Sequence, residues 1–471
     1  MHSEEKGEIE MNIVNKKVLS VIVVALFALS ILTSVVPVSA ETKKIDVYEG
    51  QSIQAAIDLA SPGDTIRVNA GTYFQSFRVN KQLVIESKGA ILDLAGTSLQ
   101  RAISVVSSGV TISGFTIRNI PAQGHEGAIH FPVPSGSVVG GLVKDNVIDS
   151  GFYGIVLNGP SDIEIKNNRI NAVNPIYIIS SPNVVIKNNI VSAHKLDSTW
   201  RGQGITLHLG SSGLVEGNEI DSVADGIHIN GPSNLEIKNN IVHSSINAFS
   251  VYSGSDITVK NNVIYASQNG VILSNPTNII VKGNTIFSES VAISSNGLSS
   301  NLAIANNILY AGGNGISSNG PSSNLAIANN ILYAGGNGIS SNGPSSNLAI
   351  ANNILYAGGY GIVLSSISEA IVKNNEVHIS QASEQQIPTG IFLSGGASNQ
   401  VAMNIVTGNF ITGIMILSSN LNTIDNNVIT GAYRDPIFGY PDAGIRLWYA
   451  NDNTVKKNLI TNVHVDIETV P

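Results

Sequence analysis

The sequence predicts an all-β protein, a solenoid of about 16 short coils with one helix at its N-terminal end, and three observations carry that prediction. Residues 296–318, 319–341 and 342–364 repeat one unit, beginning NGLSSNLAIANNILYAGG in the first copy, at an offset of 23 residues. An Asn recurs at 146, 168, 189, 218, 240, 262, 284, 307, 330, 353, 375, 404, 427 and 458, with most steps between 21 and 23. Short Val- and Ile-rich runs separated by Asn and Gly suit strands and turns, not a helical solenoid.

One coil shows the grammar. Leu235 and Ile237 alternate with Glu236 and Lys238, the period of a half-buried strand. Asn239-Asn240 follows, and Asn tolerates the left-handed backbone of a tight turn. Ile241-Val242 is a second strand, residues 243–248 a polar turn, and residues 249–252 a third strand. Three strands and three turns make a triangular coil. Stacking at about 4.8 Å puts the Asn residues in a hydrogen-bonding ladder and makes a rod roughly 75 Å long. The one helical stretch is residues 52–60, with Ser52 as N-cap and Pro62-Gly63 as stop. Laid across the first coil, it covers the exposed strand edges. No equivalent cap follows Asn458.

Residues 1–40 read as a signal peptide: Lys16 and Lys17, an apolar run over 18–36, then Val38-Ser39-Ala40. Met11 is an alternative start, and an uncleaved N-terminal membrane anchor is the alternative reading. Either places the body, residues 41–471, at the cell surface or in the medium. A net charge of −8 argues against nucleic acid as a partner. With no Cys there is no disulfide, thiolate metal site or thiol catalysis. Only 12% of residues are charged and 43% are hydrophobic, enough for a large core.

The run QSIQAAIDLASPGDTIRVNAGTY over 51–73, with the later GI-x-L and NN-x-I coils, resembles secreted right-handed parallel β-helix proteins. These include the pectate-lyase-like superfamily and NosD-like periplasmic proteins. The resemblance implies a right-handed parallel β-helix and a ligand groove along the first strand column. Function is left open, because such folds host lyases, hydrolases, epimerases and adhesins. Of the polygalacturonase motif series only Asp225-Gly226-Ile227 echoes an element; Asn247-Ala248 stands where an Asp pair belongs, and no Gly-His-Gly occurs. A lyase reading implies calcium; otherwise no cofactor and no metal are assigned.

Along the first column Ile129, Ile155, Ile176, Leu207, Ile227, Phe249 and Val271 are expected to point inward. His130, Tyr177, Thr206, His208, His228, Ser250 and Tyr252 are expected outward. The identical coils offer only Ser317 and Ser340 there. Ladder steps of 29, 29 and 31 mark inserts at 189→218, 375→404 and 427→458. Loops on a rigid scaffold are where function concentrates.

The first insert and its neighbouring coils define the candidate site. Asp225, Asp197, His228 and Arg201 form the catalytic set, and Trp200, His208, His130, Tyr177 and Tyr252 the substrate-binding set. His208 and His228 are expected on adjacent coils about 5 Å apart at the backbone. Asp197 and Asp225 are placed as the acid and base of a glycosidase, and Trp200 as a stacking surface for a sugar. A second cluster near the C-terminus, Tyr433, Arg434, Asp435, Tyr440, Arg446 and Trp448, reads as a loop protecting the last coils. The leading expectation is a surface protein that binds or acts on polysaccharide, a cell-envelope glycan included. The alternative is a non-catalytic structural or adhesive rod, which identical coils lengthen without disturbing its ends.

Overall fold

The alternating strands and Asn turns close into coils that stack in parallel from one end of the body to the other. The computed structural model describes residues 42–97, 99, 101–121, 126–132, 137–197, 201–380, 388–432 and 441–470. The leader 1–40 and Trp200 lie outside them, as do Tyr433, Arg434, Asp435 and Tyr440. Among the described residues the first face is a parallel sheet of 17 strands, and 34 more strands make the other two faces. The right-handed β-solenoid is therefore as expected. Its first face has one strand more than the 16 coils expected, because three of its strands, Phe77–Val79, Ile103–Val105 and Gly127–Pro132, precede the first ladder Asn. No helix among the described residues is long and apolar enough to cross a membrane.

The representative coil folds as its pattern dictates, with strands at Ser233–Lys238, Ile241–Ser244 and Phe249–Tyr252. Its interior is apolar: Ile237, Val242, Phe249 and Val251 are fully buried. Each such side chain contributes about 1.5–3 kcal/mol by leaving water. The tight turn before the ladder Asn needs a positive φ. Asn239 supplies it at 56°, and Gly217 and Gly283 do so where the pair is Gly-Asn.

The Asn ladder is continuous. Each side-chain amide from Asn146 to Asn427 donates to the Oδ1 of the ladder Asn in the next coil, ending at Asn458. The same Oδ1 also accepts the preceding Asn backbone N–H, as Asn262 does from Asn240. Buried polar groups are thus paired in a column that fixes register.

The helix α1 spans Ile53–Leu59, and Ser52 Oγ accepts the Ala55 N–H as its N-cap. Ile53 and Ile57 bury against the first coil. Lys81 Nζ donates to the carbonyls of Ile57, Asp58 and Ala60, satisfying the helix C-terminus. The last coil differs. Ile467 is 48% exposed, whereas its register partner Ile445 in the preceding coil is fully buried.

Candidate functional site

The first sheet positions the candidate residues through its register. Ile129, Ile155, Ile176, Ile205, Ile227, Phe249 and Val271 stand side by side, facing inward. Ile205, not Leu207, holds that row; Leu207 points inward one pleat further on, beside Ile178 and Ile229. His228 therefore pairs with Thr206, and His208 pairs with Asn230. The two histidines lie on adjacent coils but diagonally, offset by two residues, instead of abreast as the sequence suggested.

Facing outward did not bring exposure. His130 is 7% exposed, and Thr206 and Ser250 are fully buried. Side chains from the turns entering the strands flank them: Gln203 Oε1 accepts the Thr206 hydroxyl. Tyr177, His208 and His228 are half-buried, and Tyr252 is exposed.

These side chains form one strip of rings. From Tyr153 through Tyr177, His208 and His228 to Tyr252, successive ring centroids are 5.0, 5.1, 6.3 and 5.3 Å apart. The rings tilt against each other by 39–60°, so faces and edges both turn toward the surface. Tyr153 roots the strip in a small cluster with Phe152, Val156 and Val173.

Asp225 lies beneath it. In the turn entering each strand, one position forms a flanking column: Asn174, Gln203, Asp225, Asn247 and Asn269. Asp225 is the carboxylate in a row of amides. Its Oδ1 accepts the Asn247 side-chain amide at 3.1 Å, and its Oδ2 meets His228 Nδ1 at 3.1 Å. A carboxylate can only accept, so Nδ1–H is the donor in this contact, and in a neutral imidazole that leaves the lone pair on Nε2. That is the arrangement of an oriented general base. Asp225 itself is 8% exposed.

The insert contributes less than its composition suggested. Asp197 and Arg201 are exposed, in a loop closed by an antiparallel bridge between Lys195 and Arg201. The second carboxyl group of a glycosidase pair is thus exposed while Asp225 is buried, and the described side-chain partners of Asp225 are the Asn247 amide and the His228 imidazole. Burial, with the neighbouring His228 as a lesser cause, pulls the His208 imidazole below its ordinary range. Burial, then Arg101, pulls His130 down to about 4. Among the described residues no group of three His, Cys, Asp or Glu is placed to hold a metal ion.

In the C-terminal cluster Arg446 is 2% exposed and held by Glu468, Thr412 and the Pro441 carbonyl. It is a packing residue; the loop expected to protect the last coils lies outside the described residues.

One feature escaped the sequence reading. Every ladder Asn from 240 to 375 is followed three residues later by a ring: His243, Tyr265, Phe287, Tyr310, Tyr333, Tyr356 and His378. They form a column on the face built from the strand after each Asn turn, such as Ile241–Ser244, which is the third face counted along the chain from the first sheet.

A family model described as "Right handed beta helix region" matches residues 101–264 and 225–377, together more than half of the chain. A second, "Periplasmic copper-binding protein (NosD)", matches residues 345–470. No curated protein sequence matches the chain. Solved structures similar to it include the A-module of the mannuronan C-5 epimerase AlgE6 of Azotobacter vinelandii, at 14% identity over 87% of this chain and 94% of that one, TM-score 0.34. The pre-mature bacteriophage phi29 gene product 12 follows at 12% identity, 89% and 71% coverage, TM-score 0.47. The catalytic domain of a GH87 alpha-1,3-glucanase in complex with nigerose gives 16% identity, 88% and 69% coverage, TM-score 0.40. At such identities and scores these likenesses say nothing of the chemistry at the ring strip.

Proposed function

The chain belongs to the right-handed beta helix family, and on that premise we propose a secreted or cell-surface protein that binds polysaccharide along the first sheet and acts on it at His228. The observation that carries the reading is the tilted strip from Tyr153 to Tyr252. Ring faces that remain open to the surface stack on the apolar faces of sugars, and phenol and imidazole tips meet their hydroxyls. A strip running across successive coils suits an extended ligand lying along the rod.

His228 supplies the chemistry. Oriented by Asp225 through Nδ1, it presents Nε2 to a bound sugar as a proton acceptor. His208, kept neutral by burial, adds a second polar tip beside it. Arg201 and Asp197 are exposed on the adjoining loop, and in this reading they and Trp200 contribute to binding the polymer. Asp225 is a positioning residue in this reading, and the base is His228.

The copper binding in the name of the second matching model does not fit this donor set. Copper favours imidazole, thioether or thiolate ligands in groups. In the matched span His378 and His464 are each engaged with a carboxylate, Glu376 and Asp442 respectively.

Asp225→Asn and Trp200→Ala test the site. Asp225→Asn is expected to abolish turnover of a polysaccharide substrate, read by product mass, with binding within about threefold of the parent. Trp200→Ala is expected to weaken binding. Unchanged turnover in Asp225→Asn contradicts the catalytic assignment. The second reading, a structural or adhesive rod, is favoured by the three near-identical coils, which add length without adding to the strip.

A further inference from the structure

The third face carries a second, different aromatic array. Between His243 and His378 successive ring centroids are 4.6–5.0 Å apart, and ring planes depart from parallel by only 2–16°. The rings hang over a straight groove of about 1020 Å³. Its floor is small, with Ser244, Ala266, Ser288 and Ala311, and its far side carries Ser245, Ser267, Glu289 and Gly312. The hydroxyls of Ser244 and Ser288 have no hydrogen-bond partner within the protein, and Ser244 is 8% exposed.

Two facts say the array is built for something long and uniform. The register along these strands has no shift from Val242 to Val377. The ladder steps of 29 at 189→218 and 375→404 fall on either side of the ring column. The trough is lined from Ser192 to Tyr333, and the near-identical coils at 296–364 add Tyr310, Tyr333 and Tyr356 to the column at equivalent places.

The chemistry of the wall is set by ring orientation. Stacked rings cover one another's faces, so the column presents edges, which carry the positive end of the ring quadrupole, and phenol hydroxyls. Tyr265, Tyr310, Tyr333 and Tyr356 are 40, 38, 41 and 39% exposed. Such a wall meets oxygen atoms, as acceptors toward ring edges and as partners for the hydroxyls. No cation lines the groove from Tyr265 to Tyr333, and Glu289 lies in it, which disfavours an anionic polymer.

We propose that this trough is a second binding site, for an unbranched neutral polysaccharide lying along the rod with about one sugar per coil. The coil spacing is close to the advance of one pyranose in an extended chain. A compact ligand gains nothing from identical places in a row; a homopolymer gains one more contact for every coil.

The test uses the repeat itself and does not depend on the first-sheet strip. Excising residues 319–341 rejoins the flanking copies at an equivalent point, and duplicating them adds a coil. Both are made in a Tyr252→Ala background. Binding is measured with cello-, xylo- and manno-oligosaccharides of two or three sugars and of nine or ten, the latter longer than the array of coils. The longer oligomers are expected to bind about fivefold more weakly after excision, one hydrogen-bonded contact per coil, and more tightly after duplication. The short ones should not change. A second variant, with Tyr310, Tyr333 and Tyr356 all changed to Phe, keeps the stack and removes the hydroxyls; it is expected to lose binding while unfolding at the parent temperature. Affinity independent of coil number, affinity unchanged in the Phe variant, or no binding by any of these oligomers overturns the proposal. A ring column that served stability alone would give those results.

Discussion

Asn262 shows what a single side chain does in this molecule. Its amide donates to the carbonyls of Ile237 and Lys260 and to Asn284 Oδ1, and its Oδ1 accepts two N–H groups of Asn240. Asn262→Ala removes all five contacts and leaves buried groups on both neighbouring coils unpaired. A loss of about 3 kcal/mol is expected, read from the urea midpoint. Asn262→Asp should cost at least as much at neutral pH, because a carboxylate would then face two carbonyls that need a donor. His130 gives the protein a pH dependence. Its imidazole titrates near 6.5 in the unfolded chain but is held at about 4 by burial when folded. Between those values the unfolded chain carries the extra proton, so stability should fall as pH drops from 6.5 toward 4 and be independent of this group above that window. His130→Gln should flatten the fall, measured as urea midpoints at pH 7 and pH 5. An equal drop in the variant would remove His130 as its source.

At the scale of elements, α1 and the first coil are one unit. Ser52→Ala removes the acceptor for the Ala55 N–H and should cost about 1 kcal/mol, with increased hydrogen exchange confined to the first coils. The elements were legible in the sequence because period-two alternation and Asn turns repeat so regularly that errors in one coil are corrected by the next. Ser52 and Pro62-Gly63 bracketed the helix for the same local reasons. The candidate site was legible only in part. His130, Tyr177, His208, His228 and Tyr252 do belong to the first sheet, but the register of His208 was misplaced because the insert before Ile205 obscured which residue of the strand stood beside Ile227. Exposure was misjudged at Thr206 and Ser250, since pleat direction says nothing of neighbouring turns such as Gln203. The pairing of Asp225 with His228 was within reach, because Asp225 interrupts a column of amides. The ring column was missed although its signal, an aromatic or His three residues after every ladder Asn from 240 to 375, is regular over seven coils.

At the scale of the whole molecule, each coil of the body contacts its neighbours, and stability is close to a sum over coils and their interfaces. Excising residues 319–341 should therefore shift the thermal midpoint by no more than a few degrees. A collapse of the fold would show coupling beyond neighbouring coils. The same architecture separates two aromatic arrays on different faces. On the first sheet the rings tilt, rising from buried Tyr153 to exposed Tyr252; on the third they stack nearly parallel. The central claim is that the tilted strip is a polysaccharide-binding face. The most direct measurement is a glycan array probed with the chain and with its Tyr252→Ala and Tyr177→Ala variants, with and without calcium. The account expects the parent to bind at least one polysaccharide and either variant to lose about tenfold in affinity for it. Silence across acidic and neutral polysaccharides, or binding that both variants retain, would contradict it and leave the structural rod.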